Sequence, residues 1–141
     1  MTQVSFYTLS SSDEQSRLLV ACRLTEKACS LGHRIFIWAE STEQAQQLDT
    51  LLWQFKAGSF LPHSVLEAEQ PDREAIAIGT ARQLEYHGDV LINLSEAACH
   101  GHRRFSRISE ILDADKQSLK TGRERYRYYQ SEGYSPETHK L

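Results

Sequence analysis

The strongest constraint on the fold lies in the first forty residues, where two short apolar runs flank a segment with helical periodicity. Residues 4–9 form a short run of β-formers. The segment Ser11-Ser12-Asp13-Glu14 follows as a helix start, with Ser11 and Glu14 at capping-box spacing. Leu18, Ala21, Cys22, Leu24, Ala28 and Leu31 then recur at helical spacing until Gly32, which stands where the residue just past a helix end should be. Residues 34–38 are apolar almost without interruption, as expected of a strand whose two faces are both covered by helices. Ser41, with Gln44 three positions on, opens a second helix whose Ala45, Leu48, Leu51 and Leu52 should face inward. Consecutive strands alternating with helices require crossovers, and crossovers give parallel pairing. The expected fold class is therefore α/β: a Rossmann-like domain with a mostly parallel sheet flanked by helices.

Further along, residues 75–78 and 90–94 have strand character, while residues 54–71 read as a long irregular connection. Residues 105–112 are ambiguous between strand and helix by periodicity. Residues 115–130 read as a helix that ends before Gly133. No repeat, linker or low-complexity tract divides the 141 residues, so residues 1–141 are expected to form one domain with its own core.

Several function classes are disfavoured at this level. No run approaches the roughly 20 apolar residues that cross a bilayer, and no basic region followed by an apolar run opens the chain, so the expectation is a cytoplasmic protein with no membrane partner. Cys22, Cys29 and Cys99 lack the spacing of a disulfide framework, and the first two, seven apart on a helix, are expected in the core. Cys99-His100-Gly101-His102 offers three potential ligands without the rest of a four-ligand set, so no metal is expected. The turn after the first strand, Thr8-Leu9-Ser10-Ser11-Ser12-Asp13, has no glycine to close around a phosphate, and Asp13 would repel one. No cofactor and no catalytic residue are expected, and the serines serve as helix caps. The alternatives are a nucleotide-dependent α/β enzyme and a module binding single-stranded DNA directly.

Charge is unevenly placed. The formal net charge is −3, yet residues 1–100 carry 7 basic and 13 acidic side chains, whereas residues 101–130 carry 8 and 4. At 100° per residue, Lys116, Lys120, Arg123 and Arg127 fall within about 60° of one another, a stripe of one sign along the last helix. Leu119, Gly122, Tyr126 and Tyr129 make the neighbouring face, so an aromatic wall borders the stripe. This combination suits an acidic partner that also carries an apolar side chain.

Arg123-Glu124-Arg125-Tyr126-Arg127-Tyr128-Tyr129 followed by Gly133, Leu48-Asp49-x-x-Leu52-Trp53 and Ser59-Phe60-Leu61-Pro62-His63 together resemble the chi subunit of bacterial DNA polymerase III. Phe6-Tyr7 and Gly32-His33-Arg34-Ile35 fit the same family, and the likeness runs in order over essentially the whole chain. The resemblance implies a non-catalytic adaptor of the clamp-loader complex, touching DNA only indirectly. Its implied partners are the psi subunit and the acidic, Phe-ending tail of single-stranded DNA-binding protein. Carried over residue by residue, the tail site comprises Arg123, Tyr126 and Arg127, with Leu112 lining an apolar pocket; helical geometry adds Lys116 and Lys120. The psi-facing surface would include Trp53, Phe60, Leu61, Pro62 and His63, although a Trp on a Leu-faced helix could equally be core. Thr121-Gly122 departs from good helix formers and should weaken the last helix by roughly 1 kcal/mol.

Overall fold

The computed structural model describes residues 2–54, 63–65, 76–80, 88–100 and 102–141. Strand β1 (Gln3–Thr8) leads into α1 (Glu14–Ser30), β2 (Ile35–Trp38) and α2 (Thr42–Gln54). Three short strands follow, β3 (His63–Val65), β4 (Ile76–Gly79) and β5 (Val90–Asn93). The chain closes with β6 (Arg107–Leu112), α3 (Lys116–Ser131) and β7 (Glu137–Lys140). These strands make a 7-stranded sheet in the order β3-β4-β2-β5-β6-β1-β7, and every neighbouring pair is parallel. The α/β class with a parallel sheet is as the first forty residues predict.

Two cores lie on the two faces of this sheet. On one, Leu18, Ala21 and Cys22 of α1 and Ala45, Leu48 and Leu52 of α2 pack on Ile35, Ile37, Ile76, Ile78 and Ile92. On the other, Tyr129 of α3 packs with Val4, Phe6, Leu91, Phe105 and Ile108. Strands β2, β4 and β5 are buried along their whole lengths because helices or flanking segments cover both of their faces.

The helix boundaries have local causes. Asp13, and not Ser11, caps α1: its carboxylate accepts from the backbone N–H of Gln15, while Ser11 Oγ accepts from the N–H of Asp13 one step earlier. The capping-box spacing thus marks the right turn but the wrong cap. At the other end Gly32 takes φ 85°, its N–H bonds to Cys29 O and the N–H of His33 to Ala28 O, the paired closure that a left-handed residue permits. Leu31, expected on the inner face, is 68 % exposed because the helix ends there and the chain turns away. Cys22 is fully buried, whereas Cys29 is only half-buried. For α2, Ser41 Oγ accepts from the N–H of Gln44 and the Gln44 amide reaches back to the N–H of Glu40, close to the reciprocal arrangement expected.

Two strands escape sequence reading. The segment 63–65, inside what reads as an irregular connection, is the edge strand β3, and residues 137–140 form the opposite edge, β7. β7 has the sequence Glu-Thr-His-Lys and all four residues are exposed, so no apolar alternation announces it. It is held by its ladder to β1 and by Tyr7 stacked on His139 at 4.9 Å. The ambiguous residues 107–112 are strand β6, fixed between β1 and β5.

Candidate functional site

Helix α3 is positioned by its cap and by two contacts on its inner face. Asp115 caps it, accepting from the N–H groups of Gln117 and Ser118. Gly122 lies directly over Leu112: a Cβ at that position would stand 2.5 Å from Leu112 Cδ1. The glycine that weakens the helix in isolation is therefore what lets it seat on β6. Tyr126 then packs its ring on Phe6 at 5.3 Å between centroids and donates its hydroxyl to Pro136 O.

Beneath the helix sits a polar network that sequence reading does not find. Glu110 of β6 has no solvent exposure and accepts from Arg125 Nε at 2.8 Å, from Tyr129 Oη at 2.8 Å and from Asn93 Nδ2 at 2.9 Å. Arg125 also donates through Nη1 to Glu96 O, and the Cys99 N–H donates to Tyr129 Oη. Burial pushes the Glu110 carboxyl up; the Arg125 charge and the three donors oppose that. Burial also pushes the Tyr129 phenol up, so it remains a donor. The available signal was the helical angle: Arg125 falls on the Gly122 and Tyr129 side of α3, where a charge demands a buried counter-charge.

The outer face carries the stripe. Lys116, Lys120, Arg123 and Arg127 are all exposed, and among the described residues none is ion-paired with a carboxylate. Half-buried Tyr126 borders them. The structure thus brings five of the six expected tail-site residues to one surface. Leu112, at 5 % exposure, lies under the helix and supports it from below.

Of the residues expected to face psi, Trp53 stands near the end of α2 with 47 % exposure, so it is a surface residue and not core. His63 opens the edge strand β3. Phe60, Leu61 and Pro62 lie outside the described residues.

Strands β6 and β1 are neighbours that send their helices to opposite faces, and the crevice beyond their carboxyl ends is where such folds place ligands. The cleft here, about 490 Å³, is lined by Glu14, Glu40, Glu96, Asp113 and Asp115 against Arg17 and Arg125. Both arginines are committed: Arg17 to Ile111 O, Leu94 O and Glu14, and Arg125 to Glu110 and Glu96 O. The helix starts are filled by Asp13 and Asp115. This wall of carboxylates opposes a phosphate. Among the described residues there is no cluster of three or more metal-ligating side chains, and no helix is long and apolar enough to cross a membrane.

Among solved structures, the C-terminal domain of the DEAD-box protein Dbp5 superposes with a TM-score of 0.67 over 97 % of this chain and 90 % of that one, at 12 % identity. T4 UvsW gives 0.69 over 99 % of this chain and 41 % of that one, at 10 % identity. At such identities the likeness is one of fold, a RecA-like open sheet. In sequence, the DNA polymerase III subunit chi of Pseudomonas aeruginosa is 36 % identical over 100 % of this chain and 98 % of its own length. That of Escherichia coli is 27 % identical over 84 % of this chain and 82 % of its own. Residues 1–137 match the family model described as "DNA polymerase III chi subunit, HolC". With a whole-chain family match and a relative of this identity and coverage, the chain belongs to the chi subunit family of DNA polymerase III, an accessory component of DNA replication.

Proposed function

We propose that this protein is a non-catalytic, cytoplasmic adaptor of the clamp-loader complex that holds the psi subunit on one surface and the acidic tail of single-stranded DNA-binding protein on another. The observation that carries the reading is the outer face of α3: four exposed cations, none ion-paired with a carboxylate among the described residues, beside a Tyr126 ring fixed at both ends. Arg123 and Arg127, one turn apart, offer planar donor forks for a terminal carboxylate, which can accept two parallel hydrogen bonds from one of them. Lys116 and Lys120 steer the acidic residues upstream. The terminal aromatic ring rests against Tyr126, while Leu112 holds the helix at the height this requires. Because α3 is capped, seated on Leu112 and anchored by Arg125, the cations stand on a rigid platform and less order is lost on binding. On the far side of the sheet, Trp53 with Phe60, Leu61, Pro62 and His63 forms the psi contact, in keeping with an exposed indole near the end of α2, the helix that packs against the edge strand. The carboxylates that line the cleft at the strand ends and the aspartates that cap both helix starts oppose a phosphate, which supports a binding role over a nucleotide-driven one.

The test is calorimetry with an acidic peptide ending in Phe. Arg123→Ala should cost about 2 kcal/mol or more and Lys116→Ala under about 1, since the arginine meets a desolvated carboxylate and the lysine an exposed one. Equal losses, with no penalty for removing the terminal Phe, would overturn the pocket and leave an electrostatic surface. Salt-sensitive binding to bare single-stranded DNA would instead favour direct contact with nucleic acid.

A further inference from the structure

A second surface of the molecule combines exposed apolar side chains with uncompensated cations. It lies on the sheet face opposite α3, where the last turns of α1 overhang β5 and β6. Leu24, Ala28 and Leu31 make one wall of a pocket of about 120 Å³, with Val90 and Ile92 opposite. Leu31 is 68 % exposed, one of three large apolar side chains so placed among the described residues. Lys27 and Arg107 stand at the rim, both exposed, and neither is ion-paired with a carboxylate of the described residues. Arg107 donates through Nη2 to the neutral Gln3 amide oxygen at 3.2 Å. His33, also in the lining, is hydrogen-bonded through Nδ1 to Asp89 at 2.9 Å.

An independent observation lies in the lining. Ser109 is 3 % exposed and lines the pocket with its hydroxyl side chain. Its registered neighbour across the sheet, Ser5, is also buried, and its Oγ has no partner. Buried hydroxyls are ordinarily satisfied, and the Ser5 hydroxyl beside Ser109 leaves an unmet demand for polar contact next to the pocket lining.

From these residues we infer that the Leu24–Leu31–Ser109 pocket is a second docking site, taking one leucine-sized side chain from an acidic segment of a partner protein. The volume is below that of an apolar cavity known to hold benzene, about 150 Å³, and so accommodates one side chain and not a cofactor. The two uncompensated cations decide the sign of the flanking residues. The Ser109 hydroxyl supplies a hydrogen bond to the docked chain. The site is distinct from the α3 stripe, which lies across the sheet.

The probe is a short acidic peptide with one central leucine, acetylated and amidated so that it has no terminal carboxylate for α3. It is titrated into the full-length chain and followed by amide chemical shifts. Perturbations should centre on Ala28, Leu31 and Ser109. Leu31→Glu and Arg107→Glu should each weaken binding about tenfold or more. Ser109→Ala should weaken it several-fold while leaving the melting temperature unchanged, because it removes only the hydroxyl that meets the docked chain. Three results would each overturn the inference: perturbations centred on Tyr126, equal affinity for a peptide with serine in place of leucine, or Leu31→Glu dissociating a dimer of this chain.

Discussion

Replacing Arg125 by Met removes the counter-charge of Glu110 and leaves a long, apolar side chain in its place. In the native protein the pair is 2.8 Å apart with side-chain exposures of 4 % and 0 %. Tyr129 and Asn93 would still donate to Glu110 in the variant, but no cation would face it. Breaking a buried pair by removing one member costs about 3–5 kcal/mol, a large share of the roughly 5–15 kcal/mol that holds a domain together. The loss should depend on pH, with a definite sign. An unpaired buried carboxyl has a folded pKa raised further above its unfolded value. Its folded state favours the proton, so stability is fully present below the unfolded pKa and declines as pH rises through the folded one. Urea unfolding of Arg125→Met should therefore show a smaller deficit at pH 5 than at pH 8. The double variant with Glu110→Gln, lacking both charges, should recover much of the loss at pH 8. A deficit under about 1 kcal/mol, equal at both pH values, would refute the claim that this pair anchors α3.

The other predictions concern packing, capping, the exposed indole and thiol chemistry. Gly122→Ala gains up to about 1 kcal/mol of helix propensity but drives a Cβ into Leu112, an overpacking that costs about 1–3 kcal/mol, so the net effect should be destabilising and relieved by Leu112→Ala in the same chain. Asp115→Ala should lower stability by about 1 kcal/mol through loss of the α3 cap, read by urea unfolding. Trp53→Ala should leave the melting temperature almost unchanged while weakening psi binding by about 2 kcal/mol or more; a large melting shift with intact binding would contradict the surface role. Alkylation at neutral pH should label half-buried Cys29 before Cys22, whose thiol burial pushes up to about 12. Mass spectrometry of the labelled peptides decides the order.

Periodicity settled the architecture as far as local patterns reach. The β1-α1-β2-α2 opening, the close of α1 at Gly32 and the span of α3 follow from apolar spacing and caps, which act within a few residues of chain. The outer face of α3 was equally legible, because which residues share a helix face is a matter of 100° steps and needs no tertiary knowledge. The edge strands were not, since β7 is polar on both faces and exists through backbone pairing to β1, a contact more than a hundred residues away in sequence. The same limit explains Gly122, which reads as a weak point in a helix until Leu112 is seen beneath it. It explains Arg125, which reads as one more surface cation until the fold places Glu110, Asn93 and Tyr129 around it. It also explains the Trp53 side chain, whose exposure depends on what packs beside α2 and not on α2 itself. Residue type and spacing determine what each segment can do alone, while desolvation and close approach belong to pairs of segments, and only the assembled sheet decides which pairs meet.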